Sequence, residues 1–422
     1  MPAPAPVAAP APAPVAAPAP APAADAVPAD TGADDADEHG GKHHRKHHKH
    51  HGEDASGEDH GTDAEPTATD DTDDGDTATD ADHPAKAGGA QHKDTKLEVS
   101  GRVYARATAY DDDINPWIGA LSIPSARVGV TYQWKDKVAA KVSFEVKGSL
   151  RDAYVDVALT PCLTLRAGRF KLPASGIERT STWTLPTIDR TVLSDVLGGS
   201  LGAIGRRVGA QLTWKYDAGL HPKVEAAVAQ AYDLNGDLLA RPLSDGMGAI
   251  ATLHGELRPA EAVKVGAFVQ DRTTDYPGGS DQFWTGGVDL AVEQGGLRIW
   301  ADGFGGTSHF ALKTWKEADQ PFVAGQLIAG WRAGGRKQGK RYLEPFVLAA
   351  YLNPDTGHKH DDVSQVGGGL SGGRWKRWRA QVEAVVQSTA YHTPPGIGGY
   401  DKAAGINLDD RTTIEAQLSA AF

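Results

Sequence analysis

Residues 411–422, Arg-Thr-Thr-Ile-Glu-Ala-Gln-Leu-Ser-Ala-Ala-Phe, alternate at period two up to the last residue given. Thr412, Ile414, Ala416, Leu418, Ala420 and Phe422 share one face; Thr413, Glu415, Gln417, Ser419 and Ala421 share the other. A strand whose two sides meet different media needs this pattern. A strand that stays intact out to a terminal aromatic must also be pinned, because free termini fray. Its length fits the roughly 9–11 residues with which a tilted strand crosses a bilayer.

The same dyad begins at Leu97 and returns through Val138–Val146, Val208–Trp214, Met247–Leu257, Val263–Val269, Trp284–Val292 and Trp378–Val386. About sixteen such segments can be marked, an even number, as in single-chain bacterial barrels. Tight connections (Trp134–Lys137, Arg258–Glu261) alternate with long polar ones (Asp271–Asp281, Gly305–Gln320, Thr389–Asp410). Short turns at one end and long loops at the other suit an outer-membrane barrel. A soluble β-sandwich also alternates and is the rival reading. Against it, the apolar faces are thin and rich in Ala, Val and Gly, too slight for two interdigitating sheets. The expected class is therefore all-β, a closed antiparallel transmembrane β-barrel of about sixteen strands. Its ionic faces border water and its apolar faces meet lipid. The final strand resembles the closing strand of a bacterial outer-membrane β-barrel.

No run approaches the 18 or more apolar residues of a membrane helix. The 50 glycines and 10 tryptophans suit tight turns and interfacial girdles. Trp117, Trp134, Trp214, Trp284, Trp331, Trp375 and Trp378, with Tyr132 and Tyr216, fall near strand ends as anchors. A single cysteine, Cys162, excludes an intramolecular disulfide framework.

The net charge of -12 is unevenly spread. Residues 1–94 hold 20 acidic against 6 basic side chains, and the remainder 35 against 37. This divides the chain into an N-terminal extension, 1–94, and a barrel, 95–422. Residues 1–28 are almost only Ala, Pro and Val, a semi-rigid spacer of roughly 85 Å if polyproline II. Lacking a basic n-region, they differ from a secretory signal, so an export signal is expected to have been removed or to lie upstream of Met1. His43, His44, His47, His48, His50 and His51 follow, flanked by Asp/Thr-rich sequence. Paired imidazoles suit divalent metals, whereas a solvated polyampholyte needs no metal. High charge and scarce aromatics make the whole extension a disordered one, on the periplasmic side.

Residues 148–197 have an identity of their own. Arg-Asp-Ala-Tyr (151–154), Leu-Arg-Ala-Gly-Arg-Phe-Lys-Leu-Pro (165–173), Gly-Ile-Glu (176–178) and Asp-Arg (189–190) stand in order. These words resemble the phosphate-selective porin O and P family. The resemblance implies a sixteen-stranded, trimeric outer-membrane porin with an inward-folded loop and arginines and lysines that conduct anions. Here Pro173-Ala-Ser-Gly176 replaces the family's usual Pro-Phe-Gly. Independently, Ile188, Val192 and Val196, with Leu193 and Leu197, have helical spacing, so a short amphipathic helix either tucks into the lumen or lies over the rim.

Pore selectivity comes from charge and donors at the narrow point. On strand alternation Arg102, Arg106, Lys141, Arg166, Arg207, Arg298, Arg377 and Arg379 fall on polar faces, and Arg179 and Arg190 in the constriction segment around 176–197. Asp and Glu share those faces, so bracing of the wall competes with anion attraction. The expected function is passive diffusion of small anions such as phosphate; the alternative is a metal-binding barrel whose His-rich extension captures or gates cations. Catalysis is not expected: Ser143 and His254 lie on polar faces without a nucleophile motif, and no P-loop, dinucleotide fingerprint or metalloprotease helix is present. His358 and His360, beside Asp361 and Asp362, read as a solvated loop.

Overall fold

The computed structural model describes residues 91–422 except 93, 113–116, 201–202, 232–247, 277–278, 309–319, 335–338, 355, 358–361 and 390–409. The histidines at 43–51 and at 358 and 360 lie outside the described residues, as does the whole of the extension before residue 91.

All strands join one antiparallel sheet. In chain order they are β1 (Thr95–Asp112), β2 (Ile118–Trp134), β3 (Val138–Glu145), β4 (Leu150–Thr160), β5 (Leu163–Lys171), β6 (Arg206–Lys215), β7 (Lys223–Gln230) and β8 (Ala249–Ala260). Then come β9 (Val263–Tyr276), β10 (Gly279–Gln294), β11 (Leu297–Ser308), β12 (Gln320–Trp331), β13 (Arg341–Asn353), β14 (Val363–Arg374), β15 (Trp378–Thr389) and β16 (Arg411–Ala421). Two-residue pieces, Gln91–His92 and Ala333–Gly334, pair beside β1 and β13. Each strand pairs with the next, and β16 closes on β1 from Arg411↔Asp112 to Ala421↔Arg102. Closure removes every edge, which is what a sheet in lipid requires.

Phe422 completes the seam. Its N–H donates to the Gly101 carbonyl and its carbonyl accepts from the Gly101 N–H, both at 3.0 Å. Its ring lies where a side chain at position 101 would project: a Cβ there would come within 2.1 Å of the ring. Glycine at 101 is therefore what lets the C-terminal aromatic seat on the wall.

Short turns at 135–137, 161–162, 261–262, 295–296 and 375–377 gather at one end, the end at which β1 begins and β16 finishes. Asp271–Asp281 is not the long loop the sequence suggests: β9 runs to Tyr276 and β10 starts at Gly279. The turn expected at Arg258–Glu261 sits slightly later, at 261–262. Outward faces are apolar and exposed, as with Val382, Val386, Ile414 and Leu418. Trp117, Trp134, Trp214, Trp284, Trp331, Trp378, Tyr132 and Tyr216 are all exposed, as interfacial anchors are. Trp375 is not one of them. It is buried, with the Arg332 guanidinium 3.8 Å from its ring centroid.

The rule that ionic faces line the bore and apolar faces meet lipid holds on β1–β4 and β6, is interrupted by buried Phe170 on β5, Ala229 on β7 and Ile250 on β8, and breaks on β9 and β11–β14. On β13, Leu343, Val347 and Tyr351 point out, while Phe346, Leu348 and Leu352 are buried inside. Phe268, Phe304, Phe322 and Ile328 join them on the inner wall. These side chains face protein: the segment between β5 and β6 folds into the barrel and packs against them.

Candidate functional site

The inserted segment leaves the wall because its sequence stops making strand. Pro173 has no N–H to continue the ladder. Ser175 takes a left-handed φ of 63° and caps α1 (Gly176–Arg179), its hydroxyl accepting from Glu178 N–H at 3.1 Å. The same hydroxyl donates to the buried Asp302 carboxylate on β11 at 2.5 Å, and Asp302 also accepts from the Gly176 and Ile177 N–H groups. One wall carboxylate thus takes up the open N–H groups of the first helical turn. At the other end of α1, Arg190 donates to the carbonyls of Ile177, Glu178 and Thr180, and Lys171 to that of Glu178. Cations at a helix C-terminus satisfy exposed carbonyls and complement the dipole.

Beyond α1 the segment climbs β15, whose inward residues hold its backbone in turn. Arg379 donates to the Trp183 and Leu185 carbonyls, Gln381 to those of Pro186 and Thr187, and Glu383 accepts from Ile188 N–H at 2.6 Å. Thr191 donates to Gln326 and Val192 N–H to Gln365. The expected helix is shorter than its spacing suggests: α2 covers Val192–Asp195, a π-helical turn follows at Val196–Ser200, and Ile188 precedes both. Val192, Leu193, Val196, Leu197, Ala203 and Ile204 then bury against Phe268, Phe304, Phe322, Leu352 and Val363. Ile177 and Leu185 pack on Trp300, Ile328, Phe346 and Leu348. The segment lies inside the bore, against the β9–β15 wall, and not over the rim.

The opposite wall is left polar and is rich in arginine. Register sets Arg102 on β1 across from Arg127 on β2, and Arg127 across from Glu145 on β3. Arg127 and Arg151 lie 3.2 and 3.0 Å from Glu145, and Arg206 lies 2.6 Å from Asp152 with Lys141 at 4.0 Å. Arg151 also feels Arg127, Arg206 and Arg102 as like charges. Arg102, Arg127, Lys141, Arg151 and Arg206 therefore crowd around two carboxylates, Glu145 and Asp152. Low-dielectric walls concentrate the field of such a surplus into the bore.

The other basic residues singled out in the sequence are distributed differently. Arg166 is chelated by Asp156 at 2.7 and 2.9 Å and stacks on Tyr154. Arg179 pairs with Glu225 at 2.6 Å and contacts His254, which lies between Glu225 and Asp289. Arg298 pairs with Glu344, Arg207 donates to the Arg206 carbonyl, and Arg106 binds Asp189. Arg298 and Arg379 are fully buried, serving as fasteners of the wall and the segment. Arg377 is exposed in the turn between β14 and β15, not on a strand face. Arg127, Arg151 and Arg206 were not singled out, although Ser125, Arg127 and Gly129 follow the same dyad and Arg151 opens the first family word. Nothing in the sequence marks Asp302, Gln326, Gln365 or Gln381 as the segment's anchors. Among the described residues no group of three or more His, Cys, Asp or Glu is placed to hold a metal.

Solved structures share the fold. An anion-selective porin from Comamonas acidovorans superposes with a TM-score of 0.57 at 12% identity, over 78% of this chain and 100% of that one. OmpF of Salmonella typhi in complex with daunomycin gives 0.54 at 12%, over 79% and 100%. The outer membrane channel DcaP of Acinetobacter baumannii gives 0.53 at 13%, over 80% and 100%. No curated protein matches the chain. The model of the family described as "Phosphate-selective porin O and P" matches residues 71–242, a stretch holding β1–β7 and the whole inserted segment. The words at residues 151–190, the closed sixteen-stranded barrel and this match agree: over residues 71–242 the chain is similar to the phosphate-selective porin O and P family.

Proposed function

We propose that the protein is a diffusion channel for small anions in the bacterial outer membrane. The observation that carries this reading is the arginine-rich wall of β1–β6: five bases around Glu145 and Asp152, on the part of the barrel opposite the inserted segment. Small anions are drawn to that wall by its field. Planar guanidinium groups match phosphate oxygens two at a time, which supports phosphate or a similar oxyanion as a favoured solute. Its origin from the short-turn end of β1 supports a periplasmic place for the N-terminal extension. A homotrimer is supported by the family resemblance, and a fold neighbour, OmpT of Vibrio cholerae, is described in a trimer form.

Zero-current potentials across planar bilayers in a KCl gradient test the reading. Chloride is expected to be more permeant than potassium, and Arg127→Ala with Arg151→Ala is expected to reduce that preference. Cation selectivity of the unaltered protein refutes it.

A further inference from the structure

Arg106 points into the bore from β1, yet its guanidinium is already occupied. Asp189, on the inserted segment, lies 2.6 Å from Nη1 through Oδ2 and 2.7 Å from Nη2 through Oδ1. This is the fork-on-fork geometry by which arginine takes a carboxylate or a phosphate. Gln417 accepts from Nε and Nη2, and Glu415 lies 3.4 Å from Nη1. Glu383 bears on the same group from β15. A lumen base is thus set among three carboxylates, Asp189, Glu383 and Glu415. The Asp189 side chain remains 57% exposed, so the pair is wetted by the bore.

Anchoring is not what this carboxylate is needed for. The backbone on one side of Asp189 is held by Gln381 at Pro186 and Thr187 and by Glu383 at Ile188. On the other side Gln326 holds Thr191 and Gln365 holds Val192. With both flanks fixed, the carboxylate chiefly decides the charge presented near Arg106.

We infer that Asp189 is a specificity-determining residue, a built-in counter-anion that occupies on Arg106 the site a solute carboxylate or phosphate would otherwise take. It lowers the anion preference generated by the arginine wall of β1–β6. The inference rests on the anion-diffusion reading above and adds to it a second anion site, self-occupied by the chain. On β1, Arg106 is four residues beyond Arg102, about 13 Å along the strand.

The test compares full-length protein with Asp189→Asn and Arg106→Gln/Asp189→Asn in planar bilayers, folding being checked by heat-modifiable gel mobility. Zero-current potential, single-channel conductance and block of chloride current by added inorganic phosphate are read for each. Asp189→Asn is expected to raise the chloride-to-potassium permeability ratio about twofold to threefold, one charge being removed from a focused field. It is also expected to make phosphate block stronger than in the unaltered protein, and the double variant to reverse both changes. A ratio and a block unchanged in Asp189→Asn overturn the inference, as does a conductance rise without a change in ratio, which would mark Asp189 as a fastener. If the unaltered protein proves cation-selective, the anion reading fails; a shift of Asp189→Asn toward anions from that baseline still upholds the role of Asp189.

Discussion

Replacing Asp302 by alanine removes the carboxylate that ties the start of the inserted segment to β11. Three of its hydrogen bonds reach the segment, at Ser175, Gly176 and Ile177, and a fourth reaches Gln326 on the wall. Bonds to such a group are worth about 1–3 kcal/mol each, so the three set an upper bound of roughly 3–9 kcal/mol. Water entering the bore replaces part of this, leaving a net loss of about 3–5 kcal/mol. Ser175 adds to the effect: its left-handed backbone costs of order 1–3 kcal/mol and is held in place largely by Asp302. Against that loss stand Val192, Leu193, Val196, Leu197 and Ile204, buried on the phenylalanine wall at about 1.5–3 kcal/mol each. Their sum exceeds the loss, so residues 173–180 should loosen while 192–204 stay seated. Single-channel conductance is expected to rise without doubling and open-channel noise to increase, while heat-modifiable gel mobility stays that of a folded barrel. Unchanged conductance and noise in a folded variant refute the assignment of Asp302 as the anchor. Loss of the folded barrel refutes the separation of segment from wall.

Leu193→Asp places an unpaired charge where the native side chain is wholly buried, a cost of several kcal/mol. The π-helical end of the segment should detach, giving a larger conductance step than Asp302→Ala; a smaller step contradicts the energetic ranking. Gly101→Val drives a side chain into the Phe422 ring and should lower the fraction of heat-modifiable barrel recovered on refolding, whereas Gly255→Val, where an added Cβ meets nothing within 4 Å, should not. The histidines at 43–51 are tested by zinc titration of the full chain against a form lacking residues 1–90. Equal binding by the two excludes the metal-capturing alternative.

The wall was legible in the sequence. A period of two across residues 97–422, ending on Phe422, is a local property: each strand's pattern survives whatever its neighbours are, because pleating alone sends successive side chains to opposite sides. Arg106, Arg166 and Arg179 could be placed on inward faces or in the segment for the same reason. The family words between 151 and 190 located the insertion.

What the insertion does was decided by tertiary structure. Phe268, Phe304, Phe322 and Phe346 sit on faces that alternation assigns to water, and only a segment folded in from far earlier in the chain explains them. Whether Arg106 draws a solute or is neutralised by Asp189, and whether Arg379 lines a pore or clamps two carbonyls, depends on groups far away in sequence. Alternation determines which side of the wall a residue takes. Charge balance and hydrogen-bond satisfaction inside the bore are set by which distant groups the closed ring brings within about 3 Å, and no local pattern carries that information.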